Sequence, residues 1–280
     1  ITQWFTGVGI ARPEWVAPAT RRVTAMFTSP NAVGLLLGPI AALFAGWLAM
    51  RPAPLGAKRF PWHMLVKAVV LALLLPAIAA TRSAGALLGL AAAGAAVLVA
   101  ASQRRALPLL VAGAGAAAIL LAGPIQTQFT DQAADNRRTL WRGSVAYLMQ
   151  SPSRFLLGNG LAGFPATLEQ FRDPRRLERV LYPHTVILNF WLALGLVGLV
   201  AMVWLLVLAV RRAIRVRELA ALAAIAAIVV HGLVDVPFFK NDLAILWWVV
   251  LALPWLGQDV AAADGGPPPA TAWARLKWGK

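Results

Sequence analysis

Apolar residues gather into seven long segments, at about 32–50, 62–80, 83–101, 106–123, 186–210, 218–238 and 242–257. Crossing a hydrocarbon core of about 30 Å takes roughly 20 mostly apolar residues in a helix. The pattern therefore predicts an all-α, polytopic bundle of about seven transmembrane helices. The last segment is the shortest and contains Pro254, so it either tilts little or continues past Gly257. Gly and Ala crowd the third and fourth (GALLGLAAAGAAVLVAA and VAGAGAAAILLAG), which permits close helix contact. Between the fourth and fifth segments, residues 124–185 are too long to be a mere connector and form the expected seat of chemistry. The organisation expected is an external segment 1–31, four spans over 32–123, the external loop 124–185, three spans over 186–257, and a Pro-rich tail 258–280.

Composition narrows the class. Of 280 residues 60% are hydrophobic and only 13% charged, which excludes a soluble enzyme or a disordered chain; the lack of cysteine excludes a disulfide scaffold. The chain opens on Ile1 rather than Met, from which further spans upstream are expected. A net charge of +15 would suggest nucleic acid for a soluble protein, but here its distribution sets orientation. The connections 51–61, 102–105, 211–217 and 258–280 hold three, two, four and three Lys/Arg, all on one side if the spans alternate. That side is assigned to the cytoplasm, which puts 1–31, the Thr81-Arg82 junction, the loop and the Phe239-Lys240-Asn241 turn outside. The loop carries eight Arg, no Lys and five acidic residues, at the length limit of charge counting.

Within the loop, Asp135-Asn136 reads as a helix start and Ser151-Pro152 as a stop. On a helical wheel Leu140, Trp141, Val145, Tyr147 and Leu148 share a face, with Arg137 in the middle of the arc. An arginine on that side needs an anionic partner. Arg138 and Arg142 point away, toward solvent or lipid. LLGNGLAGF spells G-x-G-x-x-G through Gly158, Gly160 and Gly163, but without the preceding strand of a dinucleotide site, so NAD binding is rejected. FRDPRRLER at 171–179 reads as a solvated, self-paired face. His184 falls at the membrane boundary, where a lone histidine is either structural or catalytic. His231 and Asp235, spaced i, i+4 in the sixth segment, are either a packing contact or support for a site. Lys67 and His63 lie toward the cytoplasmic end of their helix and are expected to snorkel.

Taken in order, TRSAGALLGL (81–90), RRTLWRGSVAYLMQSPSRFLLGNGLAGF (137–164), YPHTVILNFWLALGLVGL (182–199) and HGLVDVPFFKNDLAILWWVVLAL (231–253) resemble the O-antigen ligase/polymerase family. FTSPNAVGLLLGP (27–39) resembles the Phe-x-x-Pro-Asn opening of one of its helices. The resemblance implies a GT-C-like membrane glycosyltransferase of the bacterial inner membrane, with its active face outside the cytoplasm and more spans than seven. It implies transfer of a glycan from undecaprenyl diphosphate to an acceptor hydroxyl on lipid A-core, another lipid-linked glycan or a protein, without cofactor or metal and among membrane lipids. Nucleic acid is not among the partners. The family's Ser/Thr-Arg-Ser motif falls on Arg82, its Arg before Trp on Arg137, and its Pro-His-Asn on Pro183-His184-Thr185. Departures are Thr185 for Asn, Asn189 where Glu is common, and Ala193 where an acid is frequent.

The implied roles are Arg82 and Arg137 as the diphosphate clamp and His184 as general base. Arginine suits a leaving group that gathers negative charge, because its planar fork pairs with phosphate oxygens and stays charged. Histidine, with an ordinary pKa near 6.5, suits proton abstraction at neutral pH. Arg138 and Lys240 are candidate diphosphate contacts, and His231, Asp235 and Asn189 candidate supports. Which of Arg137 and Arg138 is functional stays open, as does ligase against polymerase, and Arg82 has an alternative as a snorkelling interfacial residue. A lipid-linked oligosaccharide flippase would instead show inverted repeats and broken helices with ionisable residues near the midplane. A membrane anchor explains the composition but not why Arg82, Arg137 and His184 reach one face.

Overall fold

A computed structural model describes residues 2–49, 62–101, 132–169, 181–238 and 241–263. Among these, the regular elements are helices: α1 (Thr2–Thr6), α2 (Pro30–Ala49), α3 (Trp62–Thr81), α4 (Ala84–Ala101), α5 (Gln132–Leu148), α6 (Pro152–Leu157), α7 (Phe164–Glu169), α8 (Val186–Val216), α9 (Leu219–Gly232) and α10 (Asn241–Ala263), with a 3₁₀ turn at Pro13–Trp15. Pro30–Ala49, Met64–Thr81 and Val186–Val216 are long and apolar enough to cross a membrane. Ala84–Ala100, Leu219–Gly232 and Asn241–Leu256 are apolar but shorter. Six of the seven expected segments thus coincide with apolar helices; 106–123 lies outside the described residues.

The bundle is organised around α9. Ala220 to Ala224, Ile225, Ala227, Ile228 and His231 are all buried, so α9 is enclosed on nearly every side, as expected for a helix apolar all round. Small residues permit this closeness. A Cβ on Gly89 would meet the backbone of Ala227 at 2.6 Å, and α2 likewise meets α9 where Gly46 faces Ala220. On the other side, α8, α9 and α10 enclose Phe190, Ile228, Trp247 and Val250, with Phe238 stacked 4.6 Å from Phe190. At the end of the bundle away from the loop, Arg212 donates from Nε to the Pro254 carbonyl at 3.1 Å and covers the Trp255 ring.

Two boundaries depart from the sequence pattern, and a third settles between its alternatives. Helix α9 stops at Gly232, not near 238, because Leu233 and Val234 turn back on the carbonyls of Val229 and His231 and Pro237 follows. Helix α10 runs past Pro254 and Gly257 to Ala263, the continuation that the sequence allowed for. Helix α8, read as one span over 186–210, is interrupted at Gly195 (φ 71°, ψ −178°), in a region open essentially to glycine alone, and resumes to Val216.

The interruption is where the loop docks. Asn159 N–H donates to the Leu192 carbonyl at 2.7 Å and the Trp191 indole to the Phe155 carbonyl at 2.7 Å. A Cβ on Gly158 would overlap the Leu192 carbonyl, and one on Gly195 the Leu156 carbonyl. The first glycine of the G-x-G-x-x-G string therefore serves close packing of α6 on the broken helix. Gly195→Ala is expected to lower stability by about 1–3 kcal/mol through strain and overlap, read as an earlier unfolding midpoint in detergent.

Candidate functional site

Helix α5 packs over the start of α8. It begins at Gln132, so Asp135 and Asn136 lie inside its first turns rather than before them. Its buried face runs through Leu140, Ser144 and Leu148 against Phe164 and Leu192, with Ser144 Oγ donating to the Leu140 carbonyl at 2.7 Å. Val145, placed on this face by the wheel, is 40% exposed instead, because the small Gly143–Ser144 pair takes the contact. Arg137 sits on the packed side and is half-buried, whereas Arg138 and Arg142 are exposed. Trp141, one turn on from Arg137, donates its indole N–H to the Pro183 carbonyl at 2.8 Å. The loop helix is thereby pinned to the residue before His184. Trp141→Phe removes a bond worth about 1 kcal/mol, and the unfolding midpoint in detergent is expected to fall accordingly.

Between α3 and α4 the Thr81-Arg82-Ser83 turn has a local logic. Thr81 Oγ1 donates to the Ile78 carbonyl and accepts from Ser83 N, and Ser83 Oγ accepts from Ala86 N. The two hydroxyl residues close one helix and open the next, leaving Arg82 at the apex with φ 49°. Its Nη1 donates to the Ala19 carbonyl at 2.6 Å, and its guanidinium covers Trp4.

His184 is likewise left-handed, at φ 52°. Non-glycine residues in that region carry strain and gather at functional sites. Its Nδ1 lies 3.3 Å from Asp235 Oδ1, while 29% of the side chain stays exposed against 5% for Asp235. Asp235 also accepts from Val236 N at 2.8 Å and, through Oδ2, from Asn31 Nδ2 at 3.1 Å. A carboxylate can only accept, so His184 Nδ1 donates to it, and in the neutral imidazole Nε2 is then the lone-pair acceptor.

Asn31 in turn accepts from Arg22 Nη2 at 3.1 Å, and Arg22 donates from Nε to the Thr81 carbonyl at 3.0 Å and from Nη2 to the Arg82 carbonyl at 3.4 Å. Burial, then the positive charges of Arg137 and Arg82, push the Arg22 guanidinium down to about 10. It stays protonated at neutral pH. Three arginines therefore act on one another in a partly desolvated place, an arrangement that an anion between them relieves.

His231 and Asp235 make no hydrogen bond or ion pair with each other, although they stand close enough to act on one another electrostatically. Because α9 ends at Gly232, the two do not share a helical face, and Asp235 turns to His184 instead. His231 packs where Gly34 and Gly85 lack side chains, and its Nδ1 has no hydrogen-bond partner among the described residues. Asn189 stands on the wall of a cleft next to Tyr182. Lys240 lies outside the described residues. Among the described residues no group of three or more His, Cys, Asp or Glu gathers as a metal site.

A family model described as O-antigen ligase matches residues 68–203. That stretch is just under half of the chain, and over it the chain is similar to the O-antigen ligase family. No curated protein matches the chain. The similarity points to a membrane glycosyltransferase of the O-antigen ligase or polymerase type, whose substrates are in general a lipid-linked glycan and an acceptor. The matched stretch contains Arg82, Arg137 and His184. Arg22, Asn31 and Asp235, which bond to the Arg82 turn, to one another and to His184, come from outside it. Asn31 belongs to the Phe27-x-x-Pro30-Asn31 opening of α2, but no local pattern gave it a role. Arg22 had only the weaker signal of an Arg21-Arg22 doublet ahead of a span.

Proposed function

We propose that this chain transfers a glycan from undecaprenyl diphosphate to an acceptor hydroxyl at the outer face of the bacterial inner membrane. The observation that carries the reading is the His184–Asp235 pair joined through Asn31 to Arg22, which neighbours Arg82 and Arg137. In the reaction, the acceptor oxygen forms a bond to the anomeric carbon as the bond from that carbon to the diphosphate breaks. The acceptor proton passes to His184 Nε2. The negative charge left on the diphosphate is taken up by Arg82 and Arg137, with Arg22 holding the Arg82 turn. The chain's own residues supply both the base and the countercharge, so the step as written draws on no metal or cofactor.

The acceptor favoured is lipid A-core, the ligase reaction; chain extension on a second lipid-linked glycan is the alternative within the same chemistry. A flippase is disfavoured by the discontinuity in α8. The break at Gly195 is filled by the backbone of Leu156 and Leu157, not lined by ionisable groups. Exposed Arg138 is expected to contribute little, so Arg137 is the functional arginine of the pair, and Lys240 is retained as a possible outer contact for the diphosphate.

The test is reconstitution of the full-length protein in liposomes with undecaprenyl-diphosphate-linked glycan and lipid A-core, followed by gel mobility of the acceptor. Wild type is expected to shift the acceptor, and Arg82→Ala, Arg137→Ala and His184→Ala to lose the shift by at least about 100-fold. Unchanged transfer by all three at normal expression would sink the mechanism. Lengthened donor chains without acceptor modification would turn the reading to the polymerase.

A further inference from the structure

Beside His184 lies a cleft of about 540 Å³, lined among others by Thr28, Tyr182, Asn189, Ala193, Val236 and Phe238. That volume falls within the range of about 300–1,000 Å³ usual for small-molecule sites. The Tyr182 ring of its wall meets the His184 ring edge-on at 4.8 Å between centroids, so one aromatic ring links the cleft to the base. Along the chain of contacts Arg22–Asn31–Asp235–His184–Tyr182, the arginines stand at one end and the cleft at the other.

The chemistry of its walls differs from that of the arginine cluster. Among the described residues the lining carries no charge. Asn189, one turn into α8, and Thr28, ahead of α2, bring an amide and a hydroxyl to it, and no side-chain hydrogen bond within the described residues engages either. Tyr182 and Phe238 add aromatic surface. The mouth is rimmed by Leu161 and Leu181, 84% and 64% exposed. Paired amide and hydroxyl groups beside aromatic rings suit a pyranose, whose hydroxyls take the hydrogen bonds and whose C–H face lies on the rings. Among the described lining residues an uncompensated ionic group would find no partner. The apolar rim suits a sugar that arrives on a lipid.

We infer that this cleft is the acceptor subsite, binding an uncharged sugar ring of a lipid-borne acceptor through Asn189 and Thr28 and presenting its hydroxyl to His184. The inference deepens the transfer reading and rests on it. It also gives a purpose to the neutral residues at 189 and 193, where acids are frequent in the chains this sequence resembles: a neutral wall selects a neutral ring.

The experiment has two arms, both on the full-length protein. In liposomes, initial rates are measured while donor and lipid A-core are varied separately, for wild type, Asn189→Leu, Thr28→Val and the conservative Asn189→Gln. Loss of one neutral hydrogen bond is expected to raise the acceptor KM about five- to tenfold in the first two variants, less in Asn189→Gln, with the donor KM unchanged. In nanodiscs, saturation-transfer NMR with a panel of neutral methyl hexosides reads binding without turnover, and a signal present in wild type is expected to vanish in Asn189→Leu. A rise in donor KM instead would assign the cleft to the donor and overturn the inference, as would unchanged KM values and hexoside signals in folded variants. If wild type transfers nothing while the hexoside signal depends on Asn189, the transfer reading fails and the sugar site stands.

Discussion

Asp235→Asn is expected to lower the turnover of glycan transfer by about two to three orders of magnitude with little change in donor KM. Asp235 accepts from His184 Nδ1, Asn31 Nδ2 and Val236 N, an arrangement that an acceptor-only carboxylate satisfies. Asparagine keeps the shape but brings an NH₂. If that group faces His184 it favours the tautomer with its proton on Nε2, the atom that must receive the acceptor proton. If it faces Asn31 it sets donor against donor. In the first case the base is misassigned rather than removed; in the second its tautomer holds but the support from Asn31 is lost, and in both the charge that steadies the imidazolium formed during the step is gone. His184→Ala removes the base altogether, an effect of about 10²- to 10⁴-fold for a positioned general base. The two variants are compared by kcat at saturating donor and acceptor, with unfolding midpoints as a control. Equal turnover of Asp235→Asn and wild type would place the pair outside the reaction.

The parts of this site that were legible in the sequence are those written in local pattern. Arg137 shares a face with Leu140 and Trp141 by helical spacing alone, and α5 does pack on that side. Arg82 and His184 stand at helix ends, where the pattern switches from apolar to polar. What the sequence hid depends on contacts distant along the chain. Asn31 reaches Asp235 across 204 positions and Arg22 reaches Thr81 across 59, and no periodicity reports either bond. The pairing of Asp235 was misread because apolar composition continues through residues 233–238, concealing the end of α9. The same concealment hid the break at Gly195: a lone glycine among leucines looks like tolerated packing until its φ is known. The loop glycines gave a third lesson, since a string that spells a phosphate motif fits α6 against a carbonyl instead.

Arg22→Ala should cost as much as loss of Arg137, about 100-fold in kcat/KM, although no motif marks Arg22. Its removal takes a donor from the Thr81 and Arg82 carbonyls at the apex that presents Arg82, and from the Asn31 amide oxygen that orients Asp235. It also subtracts one of three positive charges held in a poorly solvated place, where each counts for more than it would in water. Donor KM is therefore expected to rise and kcat to fall together. Arg22→Lys keeps the charge but not the fork that spans two carbonyls and an amide, so it should recover about tenfold of the loss and no more. A general loosening of the fold would also reduce activity, and a double-mutant cycle separates the two causes. If Arg22 acts through Asn31 and Asp235, its effect on kcat shrinks in the Asp235→Asn background, because the path is already broken. Strictly multiplicative effects of Arg22→Ala and Asp235→Asn on kcat would show that Arg22 supports the turn at Arg82 alone and that the dyad is oriented without it.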